Sequence, residues 1–176
     1  LVNVPAFPGT DNAGDLSLYD SCCLKMALAA CIDIWMAESS ERADLNKEQL
    51  LSEQAFLLYA CDFSGIQNFI SQVDSAKALR SLRVRSFYLE ALMTFQIDEL
   101  LKMLGLSRAH LLYAGGGRSY LLLPNTKAVK ETADKWAQIT RKWFIERFGI
   151  LLYLATGSEP CSGNALKNVP VEDEPY

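Results

Sequence analysis

The stretch RAHLLYAGGGRSYLLLPN, Arg108–Asn125, sets two apolar runs, Leu111-Leu112-Tyr113 and Tyr120-Leu121-Leu122-Leu123, on either side of three consecutive glycines, which is the pattern of a β-hairpin. Gly115, Gly116 and Gly117 permit positive φ and a close approach of backbone to whatever lies above the turn. The hairpin sits in the middle of a longer order. Ahead of it, Ala55–Phe63 reads as a buried strand, Ser64-Gly65 as a helix entry and Ile66–Gln72 as a short helix. Ser75 then caps a long helical pattern whose core stripe is Leu79, Leu82, Ser86, Leu89, Met93, Ile97 and Leu100-Leu101, ended by Gly105. Behind the hairpin, a helix is capped from Asn125 or Thr126 and stopped at Gly149, and Ile150–Thr156 makes the last strand. Strand, helix, strand, strand, helix, strand is the ferredoxin-like split βαβ order, an α+β fold with an antiparallel sheet and helices on one face.

The flanks are simpler. Residues 1–17 carry prolines and glycines without periodicity and read as an extended linker, after which Ser17 caps a helix reaching about Ser39. Its apolar spacing points to Leu18, Cys22, Lys25-Met26, Ala29-Ala30 and Asp33 as one stripe, and ESSERADLNKEQ follows as a charged connection. The expected division is 1–44 for linker and helix, 45–158 for the ferredoxin-like domain and 159–176 for a tail. The ends read as those of an excerpt from a longer protein.

Composition excludes several classes. In a chain of 176 residues with net charge -4, a general nucleic-acid coat protein is ruled against, although a local basic patch can still meet phosphates. The cysteines, Cys22, Cys23, Cys31, Cys61 and Cys161, form no CxxC pair and fit a reducing, cytoplasmic setting. Apolar strings such as Ile150–Ala155 are far shorter than the roughly 20 residues that cross a bilayer, so no membrane partner is expected. His110, on a strand among leucines without a ligand partner, reads as structural, and Trp136 and Trp143 as core.

Two kinds of chemistry use this arrangement at the hairpin. Polymerase palms and nucleotidyl cyclases hold two divalent metals on carboxylates at the first strand end and the hairpin turn, whereas RNA-recognition modules stack bases on central-strand aromatics. Here the central strands offer only Tyr113 and Tyr120. The first strand does end in an acid, Asp62, which either caps the short helix or holds a metal, with Ser64 and the Gly65 amide facing phosphate. The hairpin tip carries Arg118 in place of an acid, so independent two-metal catalysis is not expected. Arg118 is a candidate phosphate or base contact, or else a solvated cation beside a tight turn. Lys77, Arg80, Arg83 and Arg85 cluster near the start of the long helix, where cations oppose the helix dipole, so a phosphate or RNA backbone, or a solvated or salt-bridged face, are the open readings.

CDFSGIQNFI, SAKALRSLRVRSFYLEAL and LSRAHLLYAGGGRSYLLLPNT together resemble the first Palm domain of the large subunit of type III-A (Csm) CRISPR effector complexes. GDLSLYDSCCLKMALAA resembles the segment that joins that subunit's HD nuclease domain to this Palm, with Ser21 where the family usually has a histidine. The resemblance runs from about Asp15 to Ser158. It implies a domain that faces a second, GGDD-bearing Palm, binds ATP between the two and takes part in cyclic oligoadenylate synthesis when target RNA is captured. It also implies Mg2+ or Mn2+ in the full-length protein, and as partners the HD and second Palm domains, other Csm subunits, and crRNA and target RNA through the complex. With GGGR at the hairpin and no HD motif, this chain would be the non-catalytic half, inactive alone. The resemblance carries Asp62, Phe63, Ser64, Gly65 and Gln67, and Gly115, Gly116, Gly117 and Arg118, over as ATP-facing, with Asp62 the one candidate metal ligand and the Lys77–Arg85 stretch less defined.

Overall fold

The computed structural model describes residues 17–71 and 78–167. The Ser75 cap, Gln72, Lys77, the linker up to residue 16 and the tail from residue 168 lie outside the described residues. The elements are α1 (Leu18–Ala37), α2 (Lys47–Ser52), β1 (Phe56–Ser64), α3 (Ile66–Ser71), α4 (Ala78–Leu104), β2 (Leu111–Gly115), β3 (Arg118–Pro124), α5 (Lys127–Phe148), β4 (Tyr153–Cys161) and α6 (Gly163–Leu166).

The four strands form one sheet in the order β2-β3-β1-β4. β2 and β3 pair antiparallel, with Tyr113 opposite Tyr120 and Gly115 opposite Arg118 and an irregularity between Leu111 and Tyr113. Between the central strands, the Phe63 amide donates to the Gly117 carbonyl at 2.8 Å and the Asn125 amide to the Ala55 carbonyl at 3.0 Å. One strand advances as the other recedes, so this pair is antiparallel too. With β1 and β3 central and β2 and β4 at the edges, the α+β ferredoxin-like order expected from the sequence is the one the chain adopts.

The chain divides into two compact units. One takes the chain up to Leu57, Leu122–Thr126 and the chain from Pro160. In it, the Ser17 hydroxyl accepts from the Asp20 amide at 3.0 Å and starts α1, as expected. The buried stripe differs: α1 buries Ser21, Ala27, Cys31 and Trp35, while Cys22 and Met26 are exposed. Its apolar residues are spread around the helix and not gathered on one side, so spacing alone did not select a face. The Cys31 thiol reaches the Leu122 carbonyl at 3.7 Å, and Arg42 lies over Trp35 at 4.1 Å. The charged connection holds α2, which begins with a capping box between Asn46 and Gln49.

The other unit takes Leu58–Leu121 and Lys127–Glu159. Along β1, Tyr59, Cys61 and Phe63 are buried and Leu58, Ala60 and Asp62 are half-exposed. The buried set meets α5 through Tyr59 against Trp136 and Phe63 against Phe144, with ring centroids 6.5 and 5.2 Å apart. This alternation puts Asp62 on the sheet face away from α5. In α4 the core stripe holds from Leu89 through Met93 and Ile97 to Leu101, but Leu79 and Ser86 are exposed. Arg85 explains part of the difference, because it donates to the Phe69 carbonyl and lies over the Phe69 ring, tying α3 to α4. Trp136 is core as expected, whereas Trp143 is 37% exposed at the edge of Phe144 and Phe148. His110 ends a short 3-10 turn, Arg108–His110, just before β2. The last strand begins at Tyr153, not at the fully exposed Ile150, and runs past the expected end at Thr156 through Gly157 and Pro160 to Cys161.

Burial pushes the Cys31 and Cys61 thiols from 9.0 up to about 12, with Cys161 adding to the effect on Cys31. Above pH 9 the unfolded thiols ionise while the folded ones keep their protons, so this stabilisation is present below pH 9 and lost as pH rises towards 12. Urea midpoints should therefore fall between pH 8 and pH 10, and the fall should be shallower in a Cys31→Ala, Cys61→Ala double variant. Equal slopes for both proteins would contradict this account.

Candidate functional site

The site grows from the place where β1 ends. Gly65 takes φ 91°, and its Cα faces the Leu151 backbone carbonyl so closely that a side chain would overlap it. That turn starts α3, with the Gly65 carbonyl accepting from the Phe69 amide at 3.0 Å. The residue at the start of α3 is thus Gly65, and of the two sequence readings of Asp62 the helix-cap one is not realised. Its carboxylate accepts instead from Arg118 Nε at 3.3 Å, across the central strands.

The hairpin explains its three glycines separately. Gly116 and Gly117 take φ 60° and 82°, the two positive values of a type I′ turn that matches the twist of the flanking strands. Gly116 has open space where a side chain would be, whereas Gly117 faces Ile66 Cδ1. Gly115 is not in the left-handed region, but the Tyr113 hydroxyl lies 2.7 Å from where its Cβ would stand.

These two tips share an open cavity of about 550 Å³, lined by Asp62, Phe63, Ser64, Gly65, Gln67, Gly115, Gly116 and Arg118. Every residue carried over as ATP-facing lies on it except Gly117. Gly117 lines a second hollow of about 320 Å³ behind the hairpin, with Ile66, Ser86, Glu90 and Thr94. Sequence reasoning missed Ile66, Asn68 and Tyr113 on the first cavity, and missed Ser86, Glu90 and Thr94 as a polar line on α4. The last three had a readable signal, since steps of four residues share one helix face. Arg80 and Arg83 are exposed on α4, Arg85 is engaged with Phe69, and Lys77 is outside the described residues.

A two-metal centre does not fit this cavity. Asp62 is its one acidic side chain, and that carboxylate is paired with Arg118. Mg2+ is held through one or two carboxylates with several retained waters, and a two-metal site needs more acids than one. Among the described residues no group of three or more His, Cys, Asp or Glu side chains is placed to hold a metal. His110 belongs to no such group: burial lowers its pKa, with its Nδ1 3.1 Å from the Ser107 carbonyl.

The family description "Csm1 subunit domain B" matches residues 55–173. The chain belongs to the Csm1 domain B family. It is 42% identical to the CRISPR system single-strand-specific deoxyribonuclease Cas10/Csm1 (subtype III-A) of Mycobacterium tuberculosis, over 96% of this chain and 22% of that protein. The corresponding protein of Enterococcus italicus is 40% identical over 94% of this chain and 23% of its own length. The chain thus spans about a fifth of the length of these Csm1 relatives. Among solved structures, the apo Csm1-Csm4 cassette superposes with TM-score 0.72 at 33% identity, covering 86% of this chain and 20% of that one. The Csm1-Csm4 cassette in complex with AMPPNP gives TM-score 0.68 at 34% identity, covering 88% and 20%. The cassette in complex with cA4 gives 0.70 at 33%, covering 93% and 21%. Among the described residues of this Csm1 domain B chain, no helix is long and apolar enough to cross a membrane.

The glycine geometry gives a test of the site's framework. Gly116→Asn should change stability by no more than about 0.5 kcal/mol, because Asn-Gly suits a type I′ turn. Gly65→Ala should cost about 2 kcal/mol or more, since strained φ and a backbone overlap act together. Urea denaturation of both variants checks the contrast, and equal losses would show that the two glycines are not constrained as described.

Proposed function

We propose that this chain is the nucleotide-binding, non-catalytic Palm half of a CRISPR-associated cyclic oligoadenylate synthetase subunit in antiviral defence. Its role is to hold ATP opposite a GGDD-bearing second Palm. One observation carries this reading: the β1 tip and the glycine turn open onto one cavity, with Arg118 and the first residues of α3 in its lining. Solved Csm1-Csm4 structures at 33% and 34% identity, in complex with one ATP and with AMPPNP, support it.

In this reading the open amides near Gly65 and Gly116 and the Arg118 guanidinium bind and orient phosphates, as backbone donors and a fixed cation can. In-line transfer of a nucleotidyl group needs metal-holding carboxylates, and these belong to the second Palm. Any Mg2+ or Mn2+ of the full-length protein acts there. By the same family membership, the partners proposed are the HD and second Palm domains, Csm4 and other Csm subunits, with crRNA and target RNA reached through the complex.

A second reading is docking without nucleotide, favoured by the exposed Leu112, Tyr113 and Tyr120 on strands β2 and β3. RNA binding on Tyr113 and Tyr120, whose rings lie 6.0 Å apart, is its variant. ATP titration separates these readings. Binding is expected to appear, or to tighten at least about tenfold, in a longer protein that includes the second Palm compared with this chain, as a shared site requires. No ATP binding by either would favour docking. This chain with labelled ATP and Mn2+ should yield no oligoadenylate, and clear product would overturn the assignment of catalysis to the second Palm.

A further inference from the structure

The cavity holds one carboxylate and one guanidinium, and they face each other. Asp62 lies on β1 and Arg118 opens β3, and the antiparallel register of the central strands brings them across from one another on the sheet face away from α5. Arg118 uses Nε alone for Asp62, at 3.3 Å, so its two terminal nitrogens stay available to another acceptor. Both side chains are open to solvent, 64% exposed for Arg118 and 45% for Asp62. Such a pair holds its partners weakly and exchanges them readily. A phosphate offers more than this carboxylate can, because it accepts two parallel hydrogen bonds from the guanidinium fork.

We propose that Arg118 stands in for a divalent cation at this strand end: it is the counter-charge of Asp62 in the empty domain and transfers to a phosphate oxygen when polyphosphate enters. The inference rests on the reading that this cavity takes nucleotide. It adds that the half-site needs no metal of its own, and that Asp62 competes with the ligand instead of helping to bind it. No covalent step is involved. One hydrogen-bonded ion pair is exchanged for another, and Asp62 returns to water. Asp62 thereby sets an affinity ceiling, since its negative charge stays close to the incoming phosphates and is not bridged to them by a metal.

The sign of one substitution decides the matter. In the full-length protein carrying this domain, AMPPNP affinity is measured by calorimetry with Mg2+ and with EDTA, for Asp62→Asn, Arg118→Ala and the double variant. Asp62→Asn should tighten binding about two- to fivefold, the range of an exposed ion pair, and by the same factor in both buffers. Arg118→Ala should weaken it about tenfold or more, and Asp62→Asn should gain less in the Arg118→Ala background than alone, because the competition for the guanidinium is gone there and only the repulsion between carboxylate and phosphate is left to relieve. Weaker binding in Asp62→Asn, seen with Mg2+ only, would make Asp62 a metal ligand and overturn the proposal while leaving the nucleotide site intact. Affinity unchanged by every variant would place the nucleotide elsewhere and overturn both. Thermal unfolding of each variant guards against loss of fold, which is not expected for two exposed side chains.

Discussion

The hydrogen bond from the Phe63 amide to the Gly117 carbonyl, 2.8 Å long, fixes the functional end of the molecule. It closes the ladder between the two central strands at the point where one strand ends and the other begins. A slip of one residue would turn every side chain of β3 to the opposite face, sending Arg118 towards the helices and Ser119 away from them. With the register as it is, Ser119 is buried against Met93, at 3.6 Å from its sulfur, and Arg118 faces Asp62. The packing that holds this register is ordinary core: Phe63 on Phe144 on one side of the strand, with the buried run Leu121–Leu123 along β3. The site therefore rests on strand geometry and does not depend on a loop of its own.

The same constraint explains why the tips consist of glycine. A turn of two residues with both φ values positive joins β2 to β3, and a third positive φ at Gly65 swings the chain from β1 into α3. Side chains at these points would strain the backbone or, at Gly65, run into Leu151. What remains is a cavity lined by both glycine tips, the Asp62–Arg118 pair and the side chains of Ser64, Gln67 and Asn68. Its lone carboxylate, paired with Arg118, leaves it short of the acids that a two-metal centre needs.

The order of strands and long helices was legible because apolar runs and glycines marked each of them plainly, and the hairpin is where its sequence pattern put it. The faces of helices were less legible. The apolar residues of α1 are spread around it, so its stripe through Ser21, Ala27, Cys31 and Trp35 is set by what it packs against, here Leu122, and not by its own pattern. The first turns of α4 look core-like in Leu79 and Leu82, yet Leu79 is exposed and Arg85 is the residue that makes the tertiary contact. β4 was shifted because Leu151 and Leu152 are apolar but belong to the approach, where the Leu151 carbonyl stands over Gly65. At the site, the family resemblance gathered Asp62, Phe63, Ser64, Gly65 and Gln67 with Gly115, Gly116 and Arg118 on one cavity, while Gly117, carried over with them, lines the neighbouring hollow. The pairing of Asp62 with Arg118 was not legible, since it depends on the register between two strands far apart in sequence.

The most direct measurement is a crystal structure of the full-length protein with AMPPNP bound. The account predicts phosphate oxygens within hydrogen-bonding distance of the backbone between Gly65 and Gln67 and of Arg118, with the Gly116-Gly117 turn beside them. A nucleotide held entirely by the second Palm, with Arg118 still on Asp62 and the glycine turn covered by another part of the protein, would contradict it.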